Sequence, residues 1–179
     1  MPLGIFGAGF YLVKSFRDGV RGDIQSHGPK RGSWAAMRWL NAGVSYCFTA
    51  IFAFEGDSLH NICLIDKEDP KITPCADQPI LESYCAYIHR SRARFGFENS
   101  VADVRVEGHP KQQRYQSCYG IPLVAADGKL LGTVCHFDRS PMPVSDAVAT
   151  GLDDLALLIT EAHFPKNTYI SPFPVFVGR

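Results

Sequence analysis

Cysteines carry the most reactive side chains in this sequence, and there are six of them, at positions 47, 63, 75, 85, 118 and 135. They form no Cys-x-x-Cys pair and follow no short regular spacing. A chain of 179 residues is large enough to fold without disulfide bonds. We therefore interpret the six cysteines as mostly reduced thiols.

Cys85 and His89 lie four residues apart, which places them on one face of a helix. Such a pair could act as a thiolate and an imidazole, or supply half of a metal site. The alternative is a buried cysteine beside a solvated histidine. No metal site is predicted.

Cys118 and Cys135 fall on the same face of a predicted hairpin if its turn has two residues. They would then be diagonal neighbours about 7 Å apart, near the upper limit for a disulfide. A redox switch between them is one hypothesis, and two small core residues is the other. Cys85, Cys118 and Cys135 are thus weak candidates for catalytic thiols.

Some polar residues lie in apolar surroundings and need partners. Asp103, among valines, requires either a ligand or a backbone donor that it caps. His136 and its predicted cross-strand partner Tyr119 could present polar tips to a pocket, or His136 could be a satisfied core residue. Further candidates for pocket walls, each equally plausible as core, are Tyr84, Ile88, Phe95, Phe97 and Tyr115.

The composition is that of an ordinary globular protein, with 46% hydrophobic and 20% charged residues. Eighteen basic and eighteen acidic residues cancel, which argues against nucleic acid or an anionic membrane as a partner. The apolar run of residues 3–13 has no preceding Lys or Arg and is too short to span a bilayer. We expect a cytoplasmic protein.

The hydrophobic spacing predicts helices and hairpins in alternation. Helical spacing marks residues 6–24, a second helix from about Ser33 to Gly43 after a linker at 26–32, and a third from Pro79 to the basic run at 90–94. Residues 101–106 could form a short strand. A last helix begins near Ser145, and the tail after Pro165 looks extended.

Period-two alternation predicts two β-hairpins. In the first hairpin one face belongs to the core and the other is polar. The core face carries Tyr46, Phe48, Ala50, Phe52 and Phe54, and the polar face carries Thr49, Glu55, Ser58 and His60. The turn at Gly56-Asp57 would pair Phe54 with Leu59 and Ala50 with Cys63. The second, residues 119–138, turns at Asp127-Gly128 and is apolar on both faces, as in the middle of a covered sheet.

Two stretches resemble the GAF domain family. Residues 119–138, Tyr-Gly-Ile-Pro-Leu-Val followed by Asp-Gly-Lys-Leu-Leu-Gly-Thr-Val-Cys-His-Phe-Asp, look like the hairpin common in its bacterial members. Residues 83–85 with 101–104 are similar to the segment over the family's ligand pocket. The resemblance implies an α+β, profilin-like fold with a central antiparallel sheet of five to six strands flanked by helices. It divides the chain into an N-terminal helix and linker (1–30), a GAF domain (31–165) and a tail (166–179).

The resemblance implies a sensor domain with a small-molecule ligand of unknown identity. The cysteine context of the tetrapyrrole-binding branch and the Asn-Lys-x-Phe-x-Asp-Glu motif of the cyclic-nucleotide branch are both missing. We expect a homodimer, formed through the first or last helix unless these pack on their own sheet, and a separate output protein.

Two alternatives remain open. The free methionine-(R)-sulfoxide reductases of this family use cysteine thiolates, and Cys85 with Asp103 and His109 resembles part of their site. However, this chain has Gln112 where they keep a cysteine, and its Cys118 and Cys135 replace acidic positions. The other alternative is an interaction scaffold whose pocket is filled by its own side chains.

Overall fold

The structure, a computed structural model, describes residues 29–69 and 75–163. The described residues form three helices: α1 (Pro29–Ala42), α2 (Cys85–Ser91) and α3 (Asp146–His163). Six strands, β1 (Phe48–Glu55), β2 (Ser58–Asp66), β3 (Gln78–Pro79), β4 (Phe95–Phe97), β5 (Ser117–Val124) and β6 (Leu130–Asp138), form one sheet. The predicted helix at 6–24 and the extended tail lie outside the described residues.

The six strands are antiparallel in the order β3-β2-β1-β6-β5-β4. Both predicted hairpins are present, and they meet where β1 pairs with β6 at the centre of the sheet. The α+β architecture with a six-stranded antiparallel sheet and flanking helices is confirmed. A central strand pair of this kind is covered on both faces, which explains its apolar sequence.

One surface of the sheet, here called the helix face, is covered by α1 and α3. Ser145 caps the N-terminus of α3, where the last helix was predicted to begin. Its Oγ accepts a hydrogen bond from the backbone N–H of Val148 at 3.4 Å. Each buried Leu or Ile adds about 1.5–3 kcal/mol of burial free energy. Fully buried residues of this layer include Met37, Ile51, Ile121, Val134, Leu152, Leu155 and Ile159.

The opposite surface, here called the cavity face, is covered by the short helix α2 and irregular segments. Its residues on β1 and β2 are Phe48, Ala50, Phe52, Leu59 and Leu64. The alternation predicted for Phe48, Ala50 and Phe52 is therefore confirmed. The expectation that the other face of β1 is polar was wrong, because Thr49, Ile51 and Ala53 are buried beneath the helices.

The first hairpin has its predicted turn, with Phe54 opposite Leu59, but its register changes further along. Ala50 pairs with Leu64, not with Cys63 as predicted, because a β-bulge between Ile51 and Phe52 adds one residue to β2. The loop of the second hairpin is longer than the two residues predicted. A bulge at residue 131 then restores the predicted strand register further from the turn. Tyr119 therefore still faces His136 as predicted.

Three predicted elements were placed wrongly. Helix α1 begins at Pro29, so the second half of the predicted linker is helical; proline suits the first turn, where its missing N–H is not needed. Pro79 ends strand β3 instead of opening a helix, and α2 begins only at Cys85, after a 3-10 turn (Ile80–Glu82). Residues 101–106 hold a 3-10 turn (Val104–Val106) and no strand.

None of the helices within residues 29–69 and 75–163 combines the length and apolar character that a membrane span requires.

Candidate functional site

A cavity of about 350 Å³ lies between the cavity face of the sheet and a roof made by two segments; we call it the sheet–helix cavity. The floor comes from β1, β2, β5 and β6. The roof consists of Ser83, Tyr84 and Cys85 at the start of α2 and of Lys111, Arg114 and Tyr115 before β5. The remaining lining residues are Phe48, Phe52, Leu64, Cys75, Ala76, Asp77, Gln78, Glu82, Cys118, Cys135 and Phe137.

Aromatic packing fixes the walls of this cavity. The Phe137 ring stacks on the Phe48 ring, with centroids 4.9 Å apart, and Tyr115 packs edge-on against both. The Tyr84 hydroxyl donates a hydrogen bond to the backbone carbonyl of Tyr115 at 3.1 Å. This hydrogen bond joins the two roof segments and holds them together over the cavity.

Charged groups of both signs line the same cavity. Lys111 and Arg114 are the cations, and the Arg114 guanidinium lies 5.3 Å from the ring centroid of Tyr115. Asp77 and Glu82 are the anions. The Asp77 carboxylate lies 2.7 Å from His60 Nδ1, which raises the pKa of that histidine. A ligand here would meet apolar walls together with charges that could hold its polar groups.

The thiols of this cavity have unequal environments. Cys135, and after it Ser83, stabilise the thiolate of Cys85 and lower its pKa. The influence of Cys85 and burial raise the pKa of Cys135, and burial raises that of Cys118. All three side chains are almost fully buried, and all are free thiols.

Two neighbour relationships were predicted for the cysteines, Cys85 with His89 and Cys118 with Cys135. Cys85 is buried, whereas His89 is exposed and its ring packs edge-on against Phe54 at 4.8 Å. Cys118 pairs with Phe137 in the sheet, so it is diagonal to Cys135 as predicted, and no disulfide joins them. The thiol with the largest influence on the pKa of Cys135 is instead Cys85 of helix α2.

The predicted ligand contacts divide into three places. Tyr84, Cys85 and Tyr115 line the sheet–helix cavity. Ile88 belongs to α2, and its buried side chain points at Gly120 of the sheet. Three others, Phe97, Asp103 and Tyr119, line a shallow depression of about 670 Å³ at the β4 edge, here called the edge depression. His136 lies in neither.

Asp103 caps a turn, which is one of the two roles predicted for it from the sequence. Its Oδ1 accepts a hydrogen bond from the backbone N–H of Arg105 at 2.9 Å and opens the 3-10 turn. The carboxylate also pairs with the Arg105 guanidinium, which lowers the pKa of Asp103. Its neighbours Val101 and Val104 are 60% and 82% exposed, so it is not enclosed by apolar side chains as predicted.

His136 is fully buried on the helix face, so it is a core residue. Its Nδ1 lies 2.8 Å from the Thr49 hydroxyl, and its ring stacks on Tyr46 at 5.5 Å. Burial lowers its pKa to about 3, with the Phe48 carbonyl opposing and Lys67 adding to the shift. Tyr119 lies on the same face, and its hydroxyl oxygen lies 3.2 Å from Arg94 Nη1.

Sequence reasoning missed the floor residues Phe48, Phe52 and Leu64 and the charged roof residues Lys111 and Arg114. The alternation along β1 put Phe48 and Phe52 on one face, but no local signal showed that this face is the one left uncovered by α1 and α3. The roof residues lie in a turn-rich segment without any hydrophobic period, which offered no basis for placing them.

One group of residues outside the cavity has the spacing of metal ligands. Cys47, Asp66 and Glu68 bring ligand atoms within 4.8 Å of one another. However, Asp66 Oδ1 already accepts hydrogen bonds from Cys47 Sγ at 3.3 Å and from the Glu68 backbone N–H at 2.8 Å. The Glu68 carboxylate pairs with Arg139. These oxygens have protein partners, and we assign no metal here.

The sequence matches no protein-family model and no curated protein significantly. Similar solved structures nevertheless exist. A candidate GAF sensor protein from Burkholderia vietnamiensis aligns with a TM-score of 0.68 at 16% identity, over 89% of this chain and 98% of its own. The phycoerythrobilin-bound GAF domain of a cyanobacterial phytochrome aligns with a TM-score of 0.64 at 16% identity, over 93% and 100%.

A third similar structure is the free methionine-R-sulfoxide reductase from Neisseria meningitidis in complex with its substrate. It aligns with a TM-score of 0.65 at 11% identity, over 90% of this chain and 93% of its own. At such identities the shared property is the fold, and the activities of these proteins are not carried over. The element order, the six-stranded sheet and these alignments show that the chain has the GAF-domain fold.

Proposed function

We propose that this chain is a regulatory domain that binds a small molecule in the sheet–helix cavity. The observation that carries the proposal is the cavity itself, enclosed between the sheet and a roof that Tyr84 and Tyr115 hold together. Its volume of about 350 Å³ falls within the range of roughly 300–1,000 Å³ that is usual for small-molecule sites.

Two of the similar structures support this proposal by what they hold. One contains phycoerythrobilin and the other its substrate, so proteins with this fold accommodate small molecules of different chemistry. The ligand of the present chain should have an apolar or aromatic body, because Phe48, Phe52 and Tyr115 line the cavity. Polar groups on the ligand would meet Lys111 or Glu82.

A thermal-shift panel tests the proposal. It contains cyclic nucleotides, amino acids including methionine sulfoxide, tetrapyrroles and small aromatics. A ligand that binds the folded state raises the melting temperature in a dose-dependent way. A flat response across the panel would favour the scaffold alternative, and turnover of methionine sulfoxide would favour the reductase alternative.

Two substitutions on one strand then locate the binding site. Leu64→Phe adds volume toward the cavity, whereas Ile65→Phe, its control, adds volume at the next residue of β2, on the helix face. Both residues are 8% exposed. We expect Leu64→Phe to weaken binding about tenfold or more and Ile65→Phe to leave it unchanged. Equal effects of the two would place the ligand elsewhere.

The proposal also includes a homodimer and an output protein. Helix α3, one of the two helices expected to form the dimer, packs its apolar stripe on its own sheet. A dimer would therefore use other surfaces, and light scattering of the purified protein measures whether it forms.

A further inference from the structure

The sheet–helix cavity also contains two buried thiols that come from elements far apart in sequence. Cys85 lies in the first turn of α2, and Cys135 lies in the middle of β6. Both side chains line the cavity and belong to one buried cluster on the cavity face. Small molecules that enter the cavity would therefore reach both sulfur atoms.

The small residues beside Cys135 let helix α2 approach the sheet closely. Its cross-strand partners are Ala50 on β1 and Gly120 on β5, two of the smallest side chains available. A Cβ on Gly120 would lie 2.8 Å from the Ile88 side chain of α2 and 3.0 Å from the Cys135 Cβ. Helix α2 therefore packs over this point of the sheet, which puts its Cys85 in the same cavity as Cys135.

We propose that Cys85 and Cys135 form a peroxide-reactive dithiol that closes to a disulfide between the roof and the floor of the cavity. Cys85 is the attacking thiol, since Cys135 and Ser83 favour its thiolate and lower its pKa. Cys135 is the resolving thiol. Cys118 lines the same cavity, but burial raises its pKa and keeps it protonated.

The chemistry has two steps. The Cys85 thiolate attacks one oxygen of hydrogen peroxide and breaks the O–O bond; the departing hydroxide takes a proton and leaves as water, and Cys85 becomes a sulfenic acid. Cys135 then loses its proton as its sulfur attacks Cys85 Sγ. The S–S bond forms, the S–O bond breaks, and a second water leaves. Two thiols are oxidised and one peroxide is reduced.

The disulfide would tie α2 to β6 and fix the roof over the floor. This consequence goes beyond ligand binding and does not depend on it, because the pair can be oxidised with no ligand present. Oxidation should raise the melting temperature, since a cross-link between residues distant in sequence restricts the unfolded chain.

Peptide mapping of the wild-type protein after peroxide treatment tests the proposal without any variant. Trypsin produces the peptides 72–90, with Cys75 and Cys85, and 130–139, with Cys135. We expect them to be disulfide-linked under non-reducing conditions, with fragmentation placing the link on Cys85. The link should disappear on treatment with dithiothreitol. Absence of the link, or a link to Cys75 or Cys118 in its place, would overturn the proposal.

Variants then distinguish the two roles. Cys135→Ser should accumulate a sulfenic acid on Cys85 that dimedone traps, whereas Cys85→Ser should yield no trapped product on Cys135. Cys118→Ser is the matched control in the same cavity and should keep the wild-type yield of the Cys85–Cys135 link. A control that loses the link as fully as Cys135→Ser would contradict the assignment of the pair.

Discussion

Lowering the pH from 7 to 5 should destabilise this protein through one buried side chain, His136. Burial on the helix face lowers its pKa from 6.5 to about 3. In the unfolded chain the ring takes up a proton below about pH 6.5, but in the folded protein it stays neutral until about pH 3. The unfolded state therefore binds more protons across this window, and stability falls as the pH falls.

The size of the effect follows from the same two values. Each pH unit below the unfolded-state pKa costs about 1.4 kcal/mol, so His136 should account for a loss of about 2 kcal/mol between pH 7 and pH 5. The structural reason is that Nε2 is buried without a hydrogen-bond partner among the described residues, so a charged ring could not be solvated there.

Urea denaturation of the wild type and of His136→Gln at pH 7, 6 and 5 measures this effect. The variant should lose about 2 kcal/mol less than the wild type over this range. Burial also lowers the pKa of His109, and Asp77 raises that of exposed His60, but both residues are present in both proteins and cancel in the comparison. Equal losses would show that His136 is hydrated and would refute the reasoning.

An NMR titration of the wild-type protein tests the same placement of His136 without a variant that could fold poorly. The ring resonances of His136 in the wild type should not titrate between pH 8 and pH 5. A titration midpoint near 6.5 would contradict its placement in the core.

Three further substitutions test packing and electrostatics. Gly132→Ala should lower the free energy of unfolding by about 3 kcal/mol or more, since its Cβ would lie 2.0 Å from a backbone oxygen of β1; a loss below about 1 kcal/mol in urea would contradict this packing. Asp103→Asn should leave ligand affinity in the thermal-shift assay unchanged, because Asp103 pairs with Arg105 outside the cavity; weaker binding would favour the edge depression. Arg94→Ala should cost about 1 kcal/mol at low salt and less at high salt, since Arg94 pairs with a carboxylate on α3; a salt-independent loss would contradict an ionic contribution.

The hairpins could be predicted because their signals are local. Turn residues at Gly56-Asp57 and Asp127-Gly128 separate runs of alternating hydrophobicity, and both hairpins form there. The bulge after Ile51 could not be predicted, because it depends on how two strands pair and not on either strand alone. For the same reason the predicted partner of Ala50 was off by one residue.

The candidate site was harder to predict because it depends on which face of the sheet each layer covers. Alternation correctly put His136 and Cys135 on opposite faces, but it could not tell which face the helices α1 and α3 would cover. Cys85 and Cys135 are far apart in sequence, so no local signal predicts that they line one cavity. Their common placement depends on the packing of α2 over Gly120.

The central claim is that a small molecule binds in the sheet–helix cavity, and NMR titration of the labelled protein with a ligand from the thermal-shift panel tests it most directly. We expect the largest changes in amide shift at the roof residues Tyr84, Cys85 and Tyr115 and at Cys118 on the floor. Changes confined to the edge depression at Asp103 and its neighbours, or to the helix face, would contradict it.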